Sequence, residues 1–404
     1  MAIDARRLAR PPSGIGRYIQ GLVHHLRKAA PDLHFLLLSD TPLPADPLRI
    51  GFQEIVFGHE FSGYDARHRI RALRWLQYLV PRVLELHSVD LFHSPNFACP
   101  LKWRGNTVVT MHDTAYLELR ARIDIGYRAY LRFAVRATAR VSKAIITPTN
   151  AVRASIAAAT RTSLSKIHAI HHAPSSDYRP EQDELCLSRT RTALGLPPRF
   201  ILHVGNVASH KNHRTVIAAL KRLAGRGLSI GLVCVGWDSH GAREVRRLPA
   251  EYGVPERVHF IGQVEQQWMN GLYNLAEVVV VPSWLEGFGL PVLETMAAGT
   301  PVVASSIPAV KEVAGDAAWL APPDNAEAWT EALSEVLTKP ELAQAMRRQG
   351  LVRVQQFSWE ESAAKHATLY RSVLRAGQPS FAVGSKRTVE LTPDSRRPSQ
   401  SLQS

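Results

Sequence analysis

Apolar residues along this chain alternate between two patterns. The first is a short run rich in Val, Ile and Leu, apolar on both faces, which suits a parallel strand covered by helices. Such runs are AIDAR (2–6), DLHFLLLSD (32–40), FQEIVFG (52–58), VDLFHSP (89–95), NTVVTMHD (106–113), KAIITPT (143–149) and KIHAIHH (166–172). A second series follows: FILHVGN (200–206), IGLVCVGW (230–237), VHFIG (258–262), VVVV (278–281), PVVAS (301–305) and AAWLAPP (317–323). The second pattern has a helical period. Ile15, Ile19, Leu22, Val23 and Leu26 share one face of a helix over 15–29, and further helices are predicted over 66–86, 127–141, from Asn150, from Asn212, and over 358–376. Strand and helix alternate through two series, which predicts an α/β chain with two doubly wound parallel sheets and right-handed crossovers. The stretch APSSDYRPEQDELCLSRTRTALGLPPR between the series is rich in breakers and charge and reads as a hinge. The expected limits are a first domain over 1–178, a linker over 179–199, a second domain over 200–357, a terminal helix over 358–376 and a disordered tail over 377–404.

The stretch from Val278 to Val303 is the most informative. A strand ended by Pro282 leads into SWLEGFG, Pro291 suits a first helical turn, and Gly299 with Pro301 stops that helix before the next strand. Ligands of open α/β sheets bind at the carboxyl ends of strands, so Glu286 in the loop and Glu294 in the helix are placed to address one bound molecule. Two readings stand at this point. The glutamates are solvated in a tight crossover, or each accepts a pair of hydroxyls such as a ribose or hexose presents. The sequence EGFGLPVLE followed by MAAGTPVVAS resembles the signature of retaining, two-domain (GT-B) nucleotide-sugar glycosyltransferases of family 4, and the resemblance covers nearly the whole chain.

That resemblance implies two Rossmann-like domains facing a cleft and retaining transfer of a hexosyl group, mannosyl in many such enzymes, from GDP-mannose or another nucleotide-diphosphate hexose. It implies no cofactor beyond the donor, a saccharide acceptor, and a place in cell-surface polysaccharide or lipopolysaccharide assembly. Glu286 would hold hydroxyls of the transferred sugar, within a loop that includes Gly287, Phe288 and Gly289, and Glu294 would hold the ribose. In VGNVASHKN the family usually has an arginine at one of two places that here hold Asn206 and His210, leaving Lys211 as the permanent cation for the diphosphate. A dianion beside His210 would favour its protonated form. His112 matches the residue that approaches the donor's hydroxymethyl group, with Asp113 next to it. SGIGRY resembles the glycine-rich loop facing the cleft: Gly14 and Gly16 lie at a strand-to-helix turn suited to an anion, and Arg17 adds a charge. The backbone around Gly262 and Val264 would meet the base. His112, Lys211 and Glu286 form the expected catalytic set, and Arg17 and Asp113 serve the acceptor or phosphate.

Charge and composition narrow the partners. No apolar run approaches the roughly 20 residues of a membrane-spanning helix, and the N-terminus lacks the apolar segment of a signal peptide, so a cytoplasmic location is expected. Cys99, Cys186 and Cys234 suggest neither a disulfide framework nor a zinc motif. The net charge is +14, and residues 1–180 hold 25 Lys and Arg against 13 Asp and Glu. A field concentrated on one domain points to an anionic partner, and composition alone leaves membrane and nucleic acid open. Arg67, Arg69, Arg71, Arg74 and Arg82 lie on one predicted helix, with Ile70, Leu73, Leu76, Leu79 and Val80 as its buried stripe and Trp75 and Tyr78 at the edge, which reads either as a solvated helix on a basic protein or as an interfacial helix. Arg128, Arg132, Arg136 and Arg140 recur at four-residue spacing on another. The expected partner is an anionic membrane surface carrying a lipid-diphosphate-linked acceptor. The rival readings are a sugar-nucleotide epimerase of the same architecture and a basic scaffold. No nucleic-acid-recognition signature accompanies the charge. The absence of any Asp-x-Asp argues against a metal-bridged diphosphate.

Overall fold

The computed structural model describes residues 1–10, 13–58, 66–114 and 125–377, and for 66–69, 125–128 and 377 it describes the backbone alone. The expectations for the tail after 377 and for the side chains of Arg67, Arg69 and Arg128 therefore lie outside the described residues. Among the described residues, thirteen strands form two parallel sheets. They are β1 (Ala2–Asp4), β2 (Leu36–Ser39), β3 (Gln53–Val56), β4 (Leu91–Ser94), β5 (Asn106–Thr110), β6 (Ala144–Thr147), β7 (Ile167–Ala169), β8 (Phe200–Val204), β9 (Gly231–Val235), β10 (Val258–Gly262), β11 (Val278–Val281), β12 (Val302–Ser305) and β13 (Trp319–Ala321). The first sheet has seven strands in the order β3-β2-β1-β4-β5-β6-β7, and the second has six in the order β10-β9-β8-β11-β12-β13. In both, the order reverses beside the first strand of the unit, which opens a crevice at the carboxyl edge.

The helices are α1 (Gly14–Ala29), α2 (Ala66–Arg74), α3 (Val80–Leu86), α4 (Ile125–Val141), α5 (Asn150–Thr160), α6 (Glu184–Leu194), α7 (His213–Gly225), α8 (Ala242–Glu251), α9 (Gln266–Leu275), α10 (Leu290–Ala297), α11 (Pro308–Ala314), α12 (Ala326–Thr338), α13 (Pro340–Val354) and α14 (Trp359–Gly377). Strand β11 is buried at every position, as its unbroken valine run requires for a strand covered on both faces. Helix α14 returns to the first unit and lies along α1, where a Cβ on Gly21 would come within 2.2 Å of the Trp359 ring. Trp359, Leu369 and Tyr370 are buried there, so this terminal helix clamps the two units together. The stretch expected as a linker carries α6, which packs on α9 through Thr190 against Gly271.

One expectation fails for a clear reason. The helix expected over 66–86 is interrupted by a π turn over Trp75–Leu79, whose wider turn rotates everything beyond it. Trp75 is thereby fully buried, stacked on Phe57 at 5.0 Å with its indole N–H donating to the Phe57 carbonyl at 3.0 Å, and the Arg6 guanidinium lies over its ring. It does not sit at a surface edge. Ile70 and Leu73, expected in the buried stripe, are 60% and 38% exposed, and Tyr78 is 55% exposed.

Candidate active site

The site is built where the carboxyl ends of the two sheets face each other. After β8 the chain makes a tight turn over Ser209–Lys211 and enters α7 through Asn212, which has φ +56°. The helix thus starts one residue later than expected. Buried Asn212 fixes the turn by donating to the carbonyls of Pro282 (3.0 Å) and Pro323 (2.7 Å) and accepting from Thr215 (2.9 Å). Asn212 therefore aims Lys211 at the loop after β11. Lys211 Nζ meets Glu286 Oε1 at 2.6 Å, and Ser283 Oγ donates to the same oxygen at 2.7 Å. Burial pushes the Glu286 carboxyl up, but the Lys211 charge and these hydrogen bonds outweigh it and hold it below its usual range. His210 is pushed down to about 4 by burial and then by the Lys211 charge, so it is neutral beside this pair in the free protein. The backbone N–H of Trp284 donates to the His210 carbonyl at 3.0 Å, joining the two loops.

A second charge pair spans the units. Arg17 on α1 pairs with Glu294 on α10, and Tyr273 on α9 donates to the other carboxylate oxygen at 2.7 Å. Glu294 is 1% exposed. Its charge raises the Arg17 guanidinium further, while burial and then Glu294 keep the Tyr273 phenol protonated. The Gly16 amide, one of the groups expected to meet an anion, instead donates to the Ser13 hydroxyl at 3.1 Å as part of the α1 cap. A Cβ on Gly14 would meet no atom within 4 Å, so that end of the turn is open.

The donor loop also touches the first unit directly. A Cβ on Gly287 would lie 1.7 Å from the His112 carbonyl oxygen, a contact only glycine permits, and Thr149 donates to the Gly287 carbonyl at 3.1 Å. Gly289 enters α10 with φ +83°. His112 donates from Nε2 to the Pro95 carbonyl at 2.9 Å, and burial pushes its pKa down to about 4. Nearby, Glu312 on α11 caps the N-terminus of α5 across the seam, accepting from the Asn150 and Ala151 amides (2.8 and 3.0 Å) and from His171 (2.9 Å). Burial pushes Glu312 up, yet those bonds win and bring it to about 2.

Beneath His112 a buried chain of hydrogen bonds has one consistent proton order. His366 Nδ1 faces the Ser362 carbonyl (2.7 Å) and must donate, so Nε2 of the neutral ring accepts from the Tyr18 hydroxyl at 2.8 Å. Tyr18 then accepts from Thr110 (2.9 Å), Thr110 from His93 Nε2 (2.8 Å), and His93 Nδ1 from Tyr370 (2.7 Å). This runs from α14 through β5 and β4 and back to α14, fixing the tautomers of both histidines.

The structure thus brings Lys211, His210, Glu286, Gly287 and His112 together, and separately Arg17 with Glu294. Phe288 is buried in the seam. Asp113 follows His112 beneath Gly287, where a Cβ on that glycine would stand 3.4 Å from the Asp113 Cβ, whereas Asn206 is exposed on the loop after β8. Gly262 is tied by its carbonyl to the Gly236 amide at 2.8 Å, and Val264 is buried in the core beneath. Sequence reasoning does not reach Asn212, Ser283, Tyr273, Thr149 and Glu312. Asn212, Tyr273, Thr149 and Glu312 have partners distant in sequence, whereas Ser283 bonds Glu286 three residues on within the same loop; only Asn212, an Asn opening a helix, carries a legible signal.

Residues 188–353 match the family described as Glycosyl transferases group 1, and residues 12–174 match Glycosyltransferase Family 4. The chain belongs to the group 1 glycosyltransferases. This glycosyltransferase is 27% identical over 283 residues to O-antigen chain mannosyltransferase B of Escherichia coli, spanning 70% of this chain and 74% of that protein. It is 25% identical over 347 residues to the O-antigen chain mannosyltransferase RfbU of Salmonella typhimurium, spanning 84% and 92%. Its fold superposes on WaaG, a glycosyltransferase involved in lipopolysaccharide biosynthesis, with TM-score 0.73 at 20% identity over 91% of this chain and 98% of that one. Sucrose-phosphate synthase of Thermosynechococcus elongatus gives 0.75 at 22% identity over 93% and 99%. Both likenesses establish the GT-B fold. As a glycosyltransferase it moves a sugar group from a donor to an acceptor.

Proposed function

We propose that this glycosyltransferase moves a hexosyl group, mannosyl as in the named relatives, with retention of anomeric configuration, onto a lipid-diphosphate-linked saccharide in O-antigen or related polysaccharide assembly. The observation that carries the site is the pair of self-neutralised contacts at the cleft, Lys211 with Glu286 and Arg17 with Glu294. An entering diphosphate competes for Lys211 and Arg17, and the released carboxylates then accept hydroxyls of the sugar and the ribose. In the transfer, a bond forms between the acceptor oxygen and the anomeric carbon as the bond from that carbon to the phosphate oxygen breaks. The acceptor's proton passes to the departing diphosphate, whose charge Lys211 stabilises. Neutral His112, held by Pro95, presents Nδ1 as an acceptor for a sugar hydroxyl.

The reaction needs no divalent ion on this reading, because fixed cations meet the diphosphate. Ligand-observed NMR against GDP-, UDP- and dTDP-sugars should identify one donor, and turnover with it should persist in EDTA. Loss of turnover in EDTA, restored by manganese or magnesium, would refute the metal-free route.

Attachment to the inner face of the cytoplasmic membrane is the second part of the proposal. Among the described residues no helix is long and apolar enough to cross a membrane. Residues 125–176 contain no Asp or Glu and eight Lys or Arg. On α4, Phe133 is 66% exposed and Tyr130 39% exposed, among Arg132, Arg136 and Arg140, and a depression lined by Arg136, Arg140, Arg161 and Lys166 opens beside it. On α2, exposed Ile70 and Leu73 accompany Arg71 and Arg74. Cations near an anionic leaflet contribute about 1 kcal/mol each, so a few suffice for reversible attachment. Sedimentation with vesicles should rise with anionic lipid content, fall with salt, and weaken on replacing Arg71, Arg74 and Phe133 by serine. A protein that stays in the supernatant with highly anionic vesicles at low salt has no such face.

A further inference from the structure

His172 stands three residues beyond the end of β7, is 3% exposed, and lies in the seam between the units. Its ring is surrounded by other rings: Tyr18 at 4.6 Å, Phe288 of the donor loop at 4.9 Å, His112 at 5.5 Å and Trp359 at 5.9 Å between centroids. Neither Nδ1 nor Nε2 has a hydrogen-bond partner among the described residues. Its neighbours differ in this respect, since His93 and His366 have both nitrogens bonded and His112 has one. A buried imidazole without partners is destabilising, and a phenylalanine would fill the same space at no such cost. The group is therefore better explained by what enters the seam than by packing.

We infer that His172 binds a hydroxyl group of the sugar substrate, donor or acceptor, once Phe288 lifts from it. The inference rests on the transferase reading of this cleft. A neutral imidazole offers one N–H and one lone pair, which matches an alcohol that both donates and accepts, whereas the doubly esterified diphosphate of a nucleotide sugar presents acceptors alone at neutral pH. Burial first, and then the neighbouring His112, His366 and His171, keep the ring neutral, in agreement with that match. Its position between His112 and Phe288 puts it beside the groups already assigned to the transferred sugar, on the side of the first unit.

The test compares His172→Phe and His172→Asn with the wild type in the full chain, using whichever of GDP-mannose and UDP-glucose the wild type binds. His172→Phe should melt at or above the wild-type temperature, bind the bare nucleoside diphosphate within about twofold of wild type, and lose about 10- to 100-fold in transfer. His172→Asn, which keeps a donor and an acceptor, should regain part of that loss. A fall in nucleotide-sugar affinity assigns the hydroxyl to the donor, and a raised acceptor KM with donor affinity unchanged assigns it to the acceptor. Transfer within threefold of wild type by a folded His172→Phe overturns the inference, as does a loss of bare-nucleotide affinity in step with a lowered melting temperature. A wild type inactive with every nucleotide sugar overturns the transferase reading instead, and unchanged nucleotide-sugar binding by His172→Phe then overturns this inference as well.

Discussion

Lys211→Ala is expected to lower glycosyl transfer by about 10²–10³-fold, the usual loss when one group stabilising developing charge is removed. The same change has a structural cost that must be separated from it. Lys211 and Glu286 are 18% and 12% exposed at their side chains, and breaking a buried pair by removing one partner costs about 3–5 kcal/mol at most, since the other charge is left uncompensated. With Lys211 gone, the largest influence opposing burial at Glu286 is gone too, so its carboxyl pKa rises and its buried charge is left poorly compensated. The double variant Lys211→Ala with Glu286→Gln removes that stranded charge and should recover most of the melting temperature while remaining inactive. Glu294→Gln should also lose transfer, and it leaves Arg17 facing an amide. Transfer rates and thermal melts on these variants decide the matter. Activity within tenfold of wild type in both Lys211→Ala and Glu294→Gln removes these residues from the donor site.

The fold is legible in the sequence because its signals are local. Runs such as Val278–Val281 and the stripe on α1 state strand and helix directly, and their alternation orders the sheets. The donor loop is legible for the same reason: Glu286, its glycines, Pro291 and Glu294 lie within nine residues of each other. What sequence does not show is pairing over long separations. Arg17 and Glu294 are 277 residues apart, and nothing in either neighbourhood names the other. Tyr273 meets Glu294 only once α9 packs beside α10, and Glu312 and His171 acquire meaning only when the two units close. Trp75 departs from its expected place because a helical stripe assumes a constant 3.6-residue turn, and the π turn over Trp75–Leu79 changes the phase within the helix. The sequence also suggests that His210 would carry a charge beside a dianion. In the free site burial, and then the Lys211 charge, act in the opposite direction and hold the ring neutral.

Acid should unfold this protein well above the pH that protonates its carboxylates. His93, His172, His203, His213 and His366 are each at most 3% exposed, and burial is the first cause that lowers the pKa of every one of them. For His213 and His366 the value reaches about 4. A group whose folded pKa lies below its unfolded value leaves the unfolded chain holding more protons in between. Stability is therefore full above about pH 6.5 and falls as the pH drops from there toward 4, by about 1.4 kcal/mol per pH unit for each histidine that stays neutral. Against a total stability of about 5–15 kcal/mol, three such groups acting together reach the unfolding limit near pH 5. Protonating His93 or His366 has a further effect. The chain from Tyr370 to Ser362 has one proton order, and a second ring proton turns an accepting nitrogen into a donor that faces a hydroxyl already donating to it. The contacts joining α14 to α1 and β5 are then the first to part. Glu312 acts in the same direction lower down: its stabilisation is present above about pH 4.5 and is lost as the pH approaches 2. Thermal melts from pH 7.5 to 5 should show the melting temperature falling by more than about 10 °C, since 1 kcal/mol shifts it by about 2–4 °C in a domain of this size. A melting temperature constant to within about 3 °C over that range would mean that the histidines titrate as they do in the unfolded chain, and that the buried network does not hold them neutral.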